Sequence, residues 1–248
     1  MSKVVVCMAQ INTLVGDIPG NTGLVLREAQ RALDEYAADA VLFPELTLTG
    51  YPPEDLLLRP SLQLRIDRAL NVLLDAALPI TLIVGYPRVV AGRIFNMAGV
   101  IAGGQLITEY AKQHLPNYQV FDEVRYFVPG DKACVFDLKG IPTALSICED
   151  IWQSEPMTQA RDAGATLMLN LNASPFHQGK AREREQLLEQ RSREGKMPII
   201  YTNMVGGQDE LVFDGGSMAV NHNGTVCARA PAFAPALLPI NIVWAPAG

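Results

Sequence analysis

The chain has 248 residues, of which 49% are hydrophobic and 19% are charged, and its formal net charge is −6. This composition allows a sizeable core and excludes a largely disordered chain. The negative charge and the lack of a Lys/Arg run argue against a nucleic-acid-binding surface. No stretch reaches the ~18 apolar residues of a membrane span, and the first residues lack the pattern of a signal peptide. We therefore expect a soluble, cytoplasmic protein that contacts neither membrane nor nucleic acid.

In chain order, the hydrophobic pattern predicts strands and helices that alternate over most of the sequence. Residues 21–37 have apolar side chains at helical spacing, and Asn21 is a plausible N-cap for that helix. Three further helices are predicted over residues 61–77, 153–163 and 179–195. Strands are predicted over residues 3–10, 40–43, 80–86, 94–101, 105–112, 133–136, 141–147, 166–171, 198–203, 216–221 and 224–228.

Two of the predicted connections are hairpins, at residues 102–104 and 221–224. Hairpins join antiparallel strands, so the sheets must be mixed or antiparallel rather than purely parallel. Many strands are apolar on both faces, which favours two packed sheets covered by helices. The predicted fold class is an α/β sandwich of the α+β type. No G-x-G-x-x-G sequence opens the first helix, so a Rossmann dinucleotide site is not supported.

Cys148 is the strongest candidate for a nucleophile. It stands at the end of the apolar run 141–147, is followed at once by two carboxylates, and precedes a predicted helix. A thiol at a strand tip needs a base and a cation to react near neutral pH, because its ordinary pKa is roughly 8.5. The other cysteines (Cys7, Cys134, Cys227) lie in apolar strand-like runs, where a cysteine packs as a small hydrophobic residue. Because the cysteines and histidines are dispersed, we expect no metal site.

Two charged residues at predicted strand ends could assist this thiol. Glu45 directly follows the strand 40–43 and Pro44, and Lys112 ends the strand 105–112, where an irregular segment of about twenty residues begins. Each pattern is also common for a solvated side chain that flanks a strand. Long irregular segments inside compact domains are usually functional loops.

Three sequence blocks together carry a more specific signal. The blocks are Phe43-Pro44-Glu45-Leu46, Tyr110-Ala111-Lys112-Gln113-His114-Leu115-Pro116 and Ser146-Ile147-Cys148-Glu149-Asp150. They resemble, in order and in spacing, the signature blocks of the nitrilase, or carbon–nitrogen hydrolase, superfamily. The resemblance extends from the first strand to about Val226. It implies a four-layer α-β-β-α sandwich with two mixed sheets and a Glu-Lys-Cys catalytic triad.

A finer resemblance concerns two further segments, residues 48–57 and 115–127, together with residues 148–152. They look like the glutaminase domains of glutamine-dependent NAD synthetases, in which glutamine supplies ammonia for the ATP-dependent amidation of nicotinic acid adenine dinucleotide. The Ser-Gly-Gly-x-Asp-Ser loop of the synthetase domain is not found. The resemblance therefore implies no cofactor for this chain, with ATP and Mg expected only in a missing synthetase domain. We expect a glutaminase domain over residues 1–230 and an extension or linker towards that domain over residues 231–248.

The resemblance also implies roles for individual residues. Glu45 would be the general base, Cys148 the nucleophile that forms a glutamyl thioester, and Lys112 a stabiliser of the oxyanion. Glu123 would support the charge of Lys112. The substrate-binding residues implied are Tyr118, Glu149, Ser174 and Trp152, the last as a wall of the pocket.

Two other functions remain open from the sequence. One is a free-standing amidase, carbamoylase or nitrilase that acts on another C–N substrate. The other is a non-catalytic regulatory subunit of a synthetase, against which the intact triad argues. The expected partners are glutamine, a synthetase domain or subunit, and at least one further copy of the chain, with the helix after Cys148 as the expected contact between copies.

Overall fold

The computed structural model of the protein describes residues 2–118 and 120–244. The first sheet contains β1 (Ser2–Gln10), β2 (Ala40–Leu42), β3 (Thr81–Val90), β4 (Arg93–Ala102), β5 (Gln105–Ala111) and β14 (Ala236–Trp244). The second contains β6 (Val135–Leu138), β7 (Ile141–Ile147), β8 (Leu167–Asn172), β9 (Ile199–Asn203), β12 (Met218–Val220) and β13 (Val226–Arg229). A separate hairpin is formed by β10 (Val205–Gln208) and β11 (Leu211–Asp214).

Both six-stranded sheets are mixed. Their strand orders are β14-β1-β2-β3-β4-β5 and β13-β12-β9-β8-β7-β6. In the first sheet β1, β2 and β3 are parallel to one another, while the β1–β14, β3–β4 and β4–β5 pairs are antiparallel. In the second sheet β7, β8 and β9 form the parallel centre. The predicted hairpin β12–β13 is present as an antiparallel pair.

Four α-helices cover the outer faces of the sheets: α1 (Ile18–Tyr36), α2 (Pro60–Asp75), α3 (Ser154–Asp162) and α4 (Lys180–Gly195). Helices α1 and α2 pack with the first sheet in one apolar cluster, and α3 and α4 with the second sheet in another. A third cluster contains side chains of both sheets and is the core between them. The predicted α-β-β-α sandwich is therefore confirmed.

Alternation along β1 shows how one strand serves two layers. Val6 and Met8 belong to the core between the sheets, whereas Cys7 and Ala9 belong to the cluster beneath α1 and α2. Successive side chains of a strand point to opposite faces, so an apolar run buried on both sides is what a sandwich covered by helices requires.

The start of α1 differs from the prediction. The helix begins at Ile18, and Asp17 is its N-cap, with Oδ1 accepting a hydrogen bond from the backbone N–H of Gly20 at 3.1 Å. The expectation that Asn21 caps the helix is wrong. Asn21 is buried inside the first turns, where its side chain bonds the backbone of Leu14 and the carbonyl of Leu48.

The C-terminal segment also differs from the prediction. Composition led us to expect an extension or linker over residues 231–248, but β14 pairs antiparallel with the whole of β1, from Ser2 opposite Trp244 to Gln10 opposite Ala236. Residues 236–244 are therefore a strand of the first sheet, and an extension from this segment towards a synthetase domain stays a prediction. Residues 245–248 lie outside the described part of the chain.

One cysteine differs from its prediction. Cys7, Cys134 and Cys148 are buried, but Cys227 is exposed, which contradicts its prediction as a core residue. The sequence did not predict β10, β11 or the short 3₁₀ helices Glu54–Leu58, Glu123–Arg125 and Cys148–Trp152. Within residues 2–118 and 120–244, no helix is both long enough and apolar enough to cross a membrane.

Candidate active site

A buried cluster of charges lies where several strands end. Glu45 follows β2 and Lys112 follows β5, and the Nζ of Lys112 lies 2.7 Å from Oε1 of Glu45. The same nitrogen lies 2.9 and 2.8 Å from the two carboxylate oxygens of Glu123. Lys112 is completely closed to solvent and the two carboxylates nearly so. The structure thus brings together three of the residues that the sequence predicted for the site.

The ionisation of this cluster follows from burial and from mutual charge. Burial by itself lowers the pKa of Lys112, but the carboxylates of Glu123 and Glu45 outweigh it and hold that pKa well above its usual range. Burial raises the pKa of Glu123 from 4.5 to about 7, with Lys112 opposing the shift and Glu45 adding to it. The lysine is therefore an ammonium ion, and Glu123 titrates near neutral pH.

The Glu45 carboxylate has a fixed orientation. Its Oε1 accepts hydrogen bonds from Lys112 and, at 2.8 Å, from the side-chain amide of Asn96. Its Oε2 accepts one longer bond of 3.2 Å, from the backbone N–H of Ala173. The backbone carbonyl of Asn96 also accepts a hydrogen bond from the backbone N–H of Lys112, at 2.9 Å. One residue therefore orients the carboxylate and holds the chain at the lysine.

Cys148 stands beside this cluster at the junction of β7 and the 3₁₀ helix that it begins. Its φ is +44°, in the left-handed backbone region that residues other than glycine seldom adopt. Burial and the charge of Glu45 raise the pKa of the thiol well above its usual range, and Lys112 opposes that rise. Cys148 is consequently a thiol at rest, with a carboxylate and an ammonium ion near it.

Asp150 holds this turn in place. Its Oδ1 accepts the backbone N–H groups of Gln113 and His114, at 3.0 and 2.8 Å. Its Oδ2 accepts the backbone N–H of Ile147 at 3.0 Å and the Tyr110 hydroxyl at 2.8 Å. This fully buried carboxylate joins the turn at Cys148 to the chain directly after Lys112. No role was predicted for Asp150 from the sequence, although it lies two residues from the candidate nucleophile.

A cavity of about 230 Å³ opens at Cys148. Its lining includes all four predicted substrate-binding residues, Tyr118, Glu149, Trp152 and Ser174. The Tyr118 hydroxyl donates to Oε2 of Glu149 at 2.8 Å, which fixes that carboxylate at the wall. Pockets for drug-sized ligands measure ~300–1,000 Å³, so this cavity suits a small substrate.

Charged groups of both signs also line the cavity. The Lys180 ammonium lies 3.9 Å from the centroid of the Trp152 ring, which is a cation–π contact. Glu210 and His177 line the same space. A zwitterionic substrate would therefore meet both a cation and carboxylates here.

A second cavity, of about 190 Å³, is also lined by the irregular loop. Its lining includes Tyr51 and Glu123, and the Tyr51 hydroxyl donates to Oε1 of Glu123 at 2.9 Å. The two cavities share Val120, Phe121 and Leu211 in their linings, so these side chains stand between them. Tyr51 lies in the segment 48–57, and no role was predicted for it. Among the residues that the structure describes, no three His, Cys, Asp or Glu side chains are grouped to hold a metal ion.

Comparison with known proteins adds a family match. The carbon–nitrogen hydrolase family model matches residues 5–243. The glutamine-dependent NAD(+) synthetase of Xylella fastidiosa (strain Temecula1) is 45% identical over 230 residues, which are 92% of this chain and 42% of that protein. The chain therefore spans less than half the length of this relative.

Solved structures of two kinds resemble the chain. The glutamine-dependent NAD+ synthetase from Acinetobacter baumannii, in complex with ADP, has a TM-score of 0.95 and 37% identity, and the match covers 98% of this chain and 46% of that one. A mutant of the amidase from Nesterenkonia sp. AN1 has a TM-score of 0.88 and 26% identity, covering 96% of this chain and 90% of that one. It shows covalent addition of the acetamide moiety of fluoroacetamide at its active-site cysteine.

Proposed function

The chain belongs to the carbon–nitrogen hydrolase family, and we propose that it hydrolyses the side-chain amide of glutamine to glutamate and ammonia. One observation carries the proposal: the buried ammonium of Lys112 lies between two carboxylates, and the charges of Lys112 and Glu45 act on Cys148, which lines a small cavity. A nucleophile that lines a small cavity, with a base and a cation near it, provides the groups that acyl transfer requires.

In the first half of the reaction, Glu45 accepts the thiol proton of Cys148 as its sulfur attacks the amide carbon. The proton goes to Oε2, since Oε1 already accepts hydrogen bonds from Lys112 and Asn96. The carbonyl electron pair moves to oxygen, and Lys112 with the backbone N–H of Glu149 stabilises the oxyanion. One such donor typically lowers the barrier by about 3–4 kcal/mol. The oxyanion then collapses, Glu45 returns the proton to nitrogen, and ammonia leaves.

The second half of the reaction hydrolyses the thioester. Glu45, again a carboxylate, takes a proton from water as the water oxygen attacks the thioester carbon. The carbon–sulfur bond breaks, the thiolate recovers the proton from Glu45, and glutamate is released. The pKa directions suit this cycle, because Cys148 begins as a thiol and Lys112 remains charged throughout.

Glutamine is the proposed substrate for two reasons. The relatives named as synthetases depend on glutamine. The cavity also offers charges for an amino acid backbone. The Glu149 carboxylate suits the α-ammonium, and the Lys180 ammonium has the sign that suits the α-carboxylate. Tyr118 keeps Glu149 in position, and Trp152 forms an apolar wall.

We further propose that the ammonia feeds a synthetase domain or subunit that amidates nicotinic acid adenine dinucleotide to NAD. ATP and Mg would act in that partner, and this chain would need no cofactor. The names of the relatives support this assignment. A homo-oligomer of at least two copies remains a prediction, and light scattering that shows only monomer would contradict it.

The direct test measures ammonia release from glutamine by the wild-type protein and by Cys148→Ala. We expect release by the wild type and a loss of at least about a thousandfold in the variant. Equal release by both would exclude Cys148 as nucleophile. No release by the wild type, even with a synthetase partner and its substrates present, would favour a regulatory subunit.

A free-standing amidase is the second candidate, favoured by one observation. The match to the Nesterenkonia amidase covers 90% of that chain, so a sandwich of this size forms a whole amidase there. Faster hydrolysis of simple amides such as acetamide than of glutamine would support this candidate.

A further inference from the structure

Arg184 is a charged side chain in an unusual place. It belongs to α4, a helix rich in charged residues, yet it is only 1% exposed. A buried guanidinium is costly unless it is paired and fully hydrogen-bonded. Its partners therefore indicate what it stabilises.

The guanidinium has four hydrogen bonds, all to two neighbouring segments. Nη1 donates to Oδ1 of Asp214 at 2.7 Å, an ion pair that is also closed to solvent. Nη2 donates to the carbonyls of Ser174 and Pro175, at 2.7 and 3.0 Å. Nε donates to the hydroxyl of Ser174 at 3.2 Å. The rigid fork of an arginine thus fixes Ser174 through both its backbone and its side chain.

This contact determines the direction of the Ser174 hydroxyl. A serine hydroxyl has one hydrogen and two lone pairs, and an arginine can only donate. The oxygen of Ser174 must accept from Arg184, which leaves its hydrogen free to donate. Within the described residues that hydrogen has no acceptor of normal geometry. The neighbouring Tyr201 hydroxyl competes for that hydrogen: hydrogen bonding to Ser174 opposes the rise that burial causes in the pKa of Tyr201, although no bond of normal geometry joins the two hydroxyls.

The Ser174 backbone is held from a second side. Its N–H donates to Oδ1 of Asn203 at 2.9 Å, and its carbonyl accepts from Nδ2 of Asn203 at 3.3 Å. Ser174 also lines the cavity at Cys148. A donor on a residue that lines a cavity, held in place before binding, is a preorganised contact for a ligand acceptor.

We propose that Arg184 is a positioning residue that fixes the Ser174 hydroxyl as a hydrogen-bond donor to the α-carboxylate of the substrate. The inference rests on the proposed function. Glutamine carries two acceptor groups, the amide oxygen and the α-carboxylate, and the first is directed to Lys112 in the proposed mechanism. The α-ammonium can only donate, so it cannot accept the hydrogen of this hydroxyl. The site therefore selects amides that carry a carboxylate.

The test measures binding to the Cys148→Ala protein by calorimetry, so that it does not depend on turnover. Three ligands are compared: glutamine, glutaramate, which lacks the amine, and 4-aminobutanamide, which lacks the carboxylate. Ser174→Ala and the pair Arg184→Met with Asp214→Asn are each added, the pair being chosen so that no buried carboxylate loses its partner. We expect both changes to weaken glutamine and glutaramate binding by about tenfold or more, and 4-aminobutanamide binding by less than about twofold.

Combining the changes should give no further loss, since Arg184 acts through Ser174. Arg193→Met on the same helix, where the side chain contacts the carbonyl of Asn223 on the surface, should leave the binding of all three ligands unchanged. An equal loss for all three ligands would reduce Arg184 to a structural role and overturn the inference.

The inference would also be overturned if the Cys148→Ala protein without further substitution bound neither glutamine nor glutaramate. The same selective loss of binding in Tyr201→Phe would overturn it as well. The proposed function fails separately, if the protein with Cys148 intact releases no ammonia from glutamine while the selective binding losses are observed.

Discussion

The Nζ of Lys112 lies 2.7 Å from Oε1 of Glu45, and both side chains are closed to solvent. Glu123 supplies the second carboxylate that this ammonium contacts. A buried ion cluster of this kind is weak evidence for stability in itself, but the loss of one member leaves charges uncompensated. The cluster therefore connects the chemistry of the site to the stability of the fold.

Lys112→Met should destabilise the protein strongly, because it leaves Glu45 and Glu123 buried without their cation. We expect a loss of about 3–5 kcal/mol in the free energy of unfolding, measured with urea. Adding Glu123→Gln should recover part of that loss. Lys139→Met, which removes an exposed pair with Asp39, should cost less than about 1 kcal/mol and serves as the control. Equal losses at the two lysines would contradict the account.

Asn96→Leu should lower kcat with little change in KM. The amide of Asn96 orients Glu45 but does not line the cavity at Cys148, so its loss leaves substrate binding intact. Its backbone carbonyl continues to accept the N–H of Lys112 in the variant. General-base catalysis contributes typically ~10²–10⁴-fold, and a misdirected base should lose about 10- to 100-fold of it. Steady-state kinetics with an unchanged kcat would show that Asn96 does not direct the base.

Glu123→Gln should alter how stability depends on pH. Burial raises the pKa of Glu123 to about 7 in the folded protein from 4.5, so between these values the folded state keeps a proton that the unfolded state has released. This contribution is fully present below about pH 4.5 and is lost as the pH rises through about 7. The stability of the wild type relative to the variant should therefore fall between pH 5 and 8, by about 1–3 kcal/mol. Urea unfolding at both pH values checks the sign, and a rising difference would refute the assignment.

Asp150→Asn should destabilise the turn at Cys148. Each carboxylate oxygen of Asp150 accepts two hydrogen bonds, so in either orientation the new amide nitrogen faces two donors. Each unsatisfied buried donor costs about 1–3 kcal/mol, and we expect a loss of about 2–5 kcal/mol together with lower activity. Asp122→Asn, at an exposed carboxylate in a 3.9 Å pair with Arg125, should change stability by less than about 0.5 kcal/mol. A normal urea midpoint for the Asp150 variant would contradict this role.

The candidate site was predictable where it coincides with strand ends and motifs. Glu45, Lys112 and Cys148 each lie at the end of a predicted strand, and the three signature blocks distinguish them from ordinary flanking residues. One sequence feature could have indicated a role for Asn96, because it is a single amide inside the apolar strand β4. No sequence feature distinguishes Arg184, since it is one of many charged residues on α4 and only the packed structure shows that it is buried.

The helices and strands were predictable where the hydrophobic periodicity of the sequence is strong. They were less predictable where pairing with a distant strand determines the structure. The strand β14 contains Pro239 and lies in a Pro- and Ala-rich segment, which resembles a linker in composition. Its pairing with β1 at the edge of the first sheet depends on a partner more than 220 residues away in sequence. The turn at α1 was misassigned because two residues with cap chemistry, Asp17 and Asn21, lie four positions apart. Tertiary contacts of Asn21 decide between them.

The most direct test of the central claim is mass spectrometry of the Cys148 peptide, after the protein is mixed with glutamine and quenched in acid. The account predicts a transient adduct on Cys148 equal in mass to glutamine minus ammonia, which forms with the first release of ammonia and is absent from Cys148→Ala. Ammonia release by Cys148→Ala at the wild-type rate, with no adduct on the wild-type cysteine at any time, would contradict it.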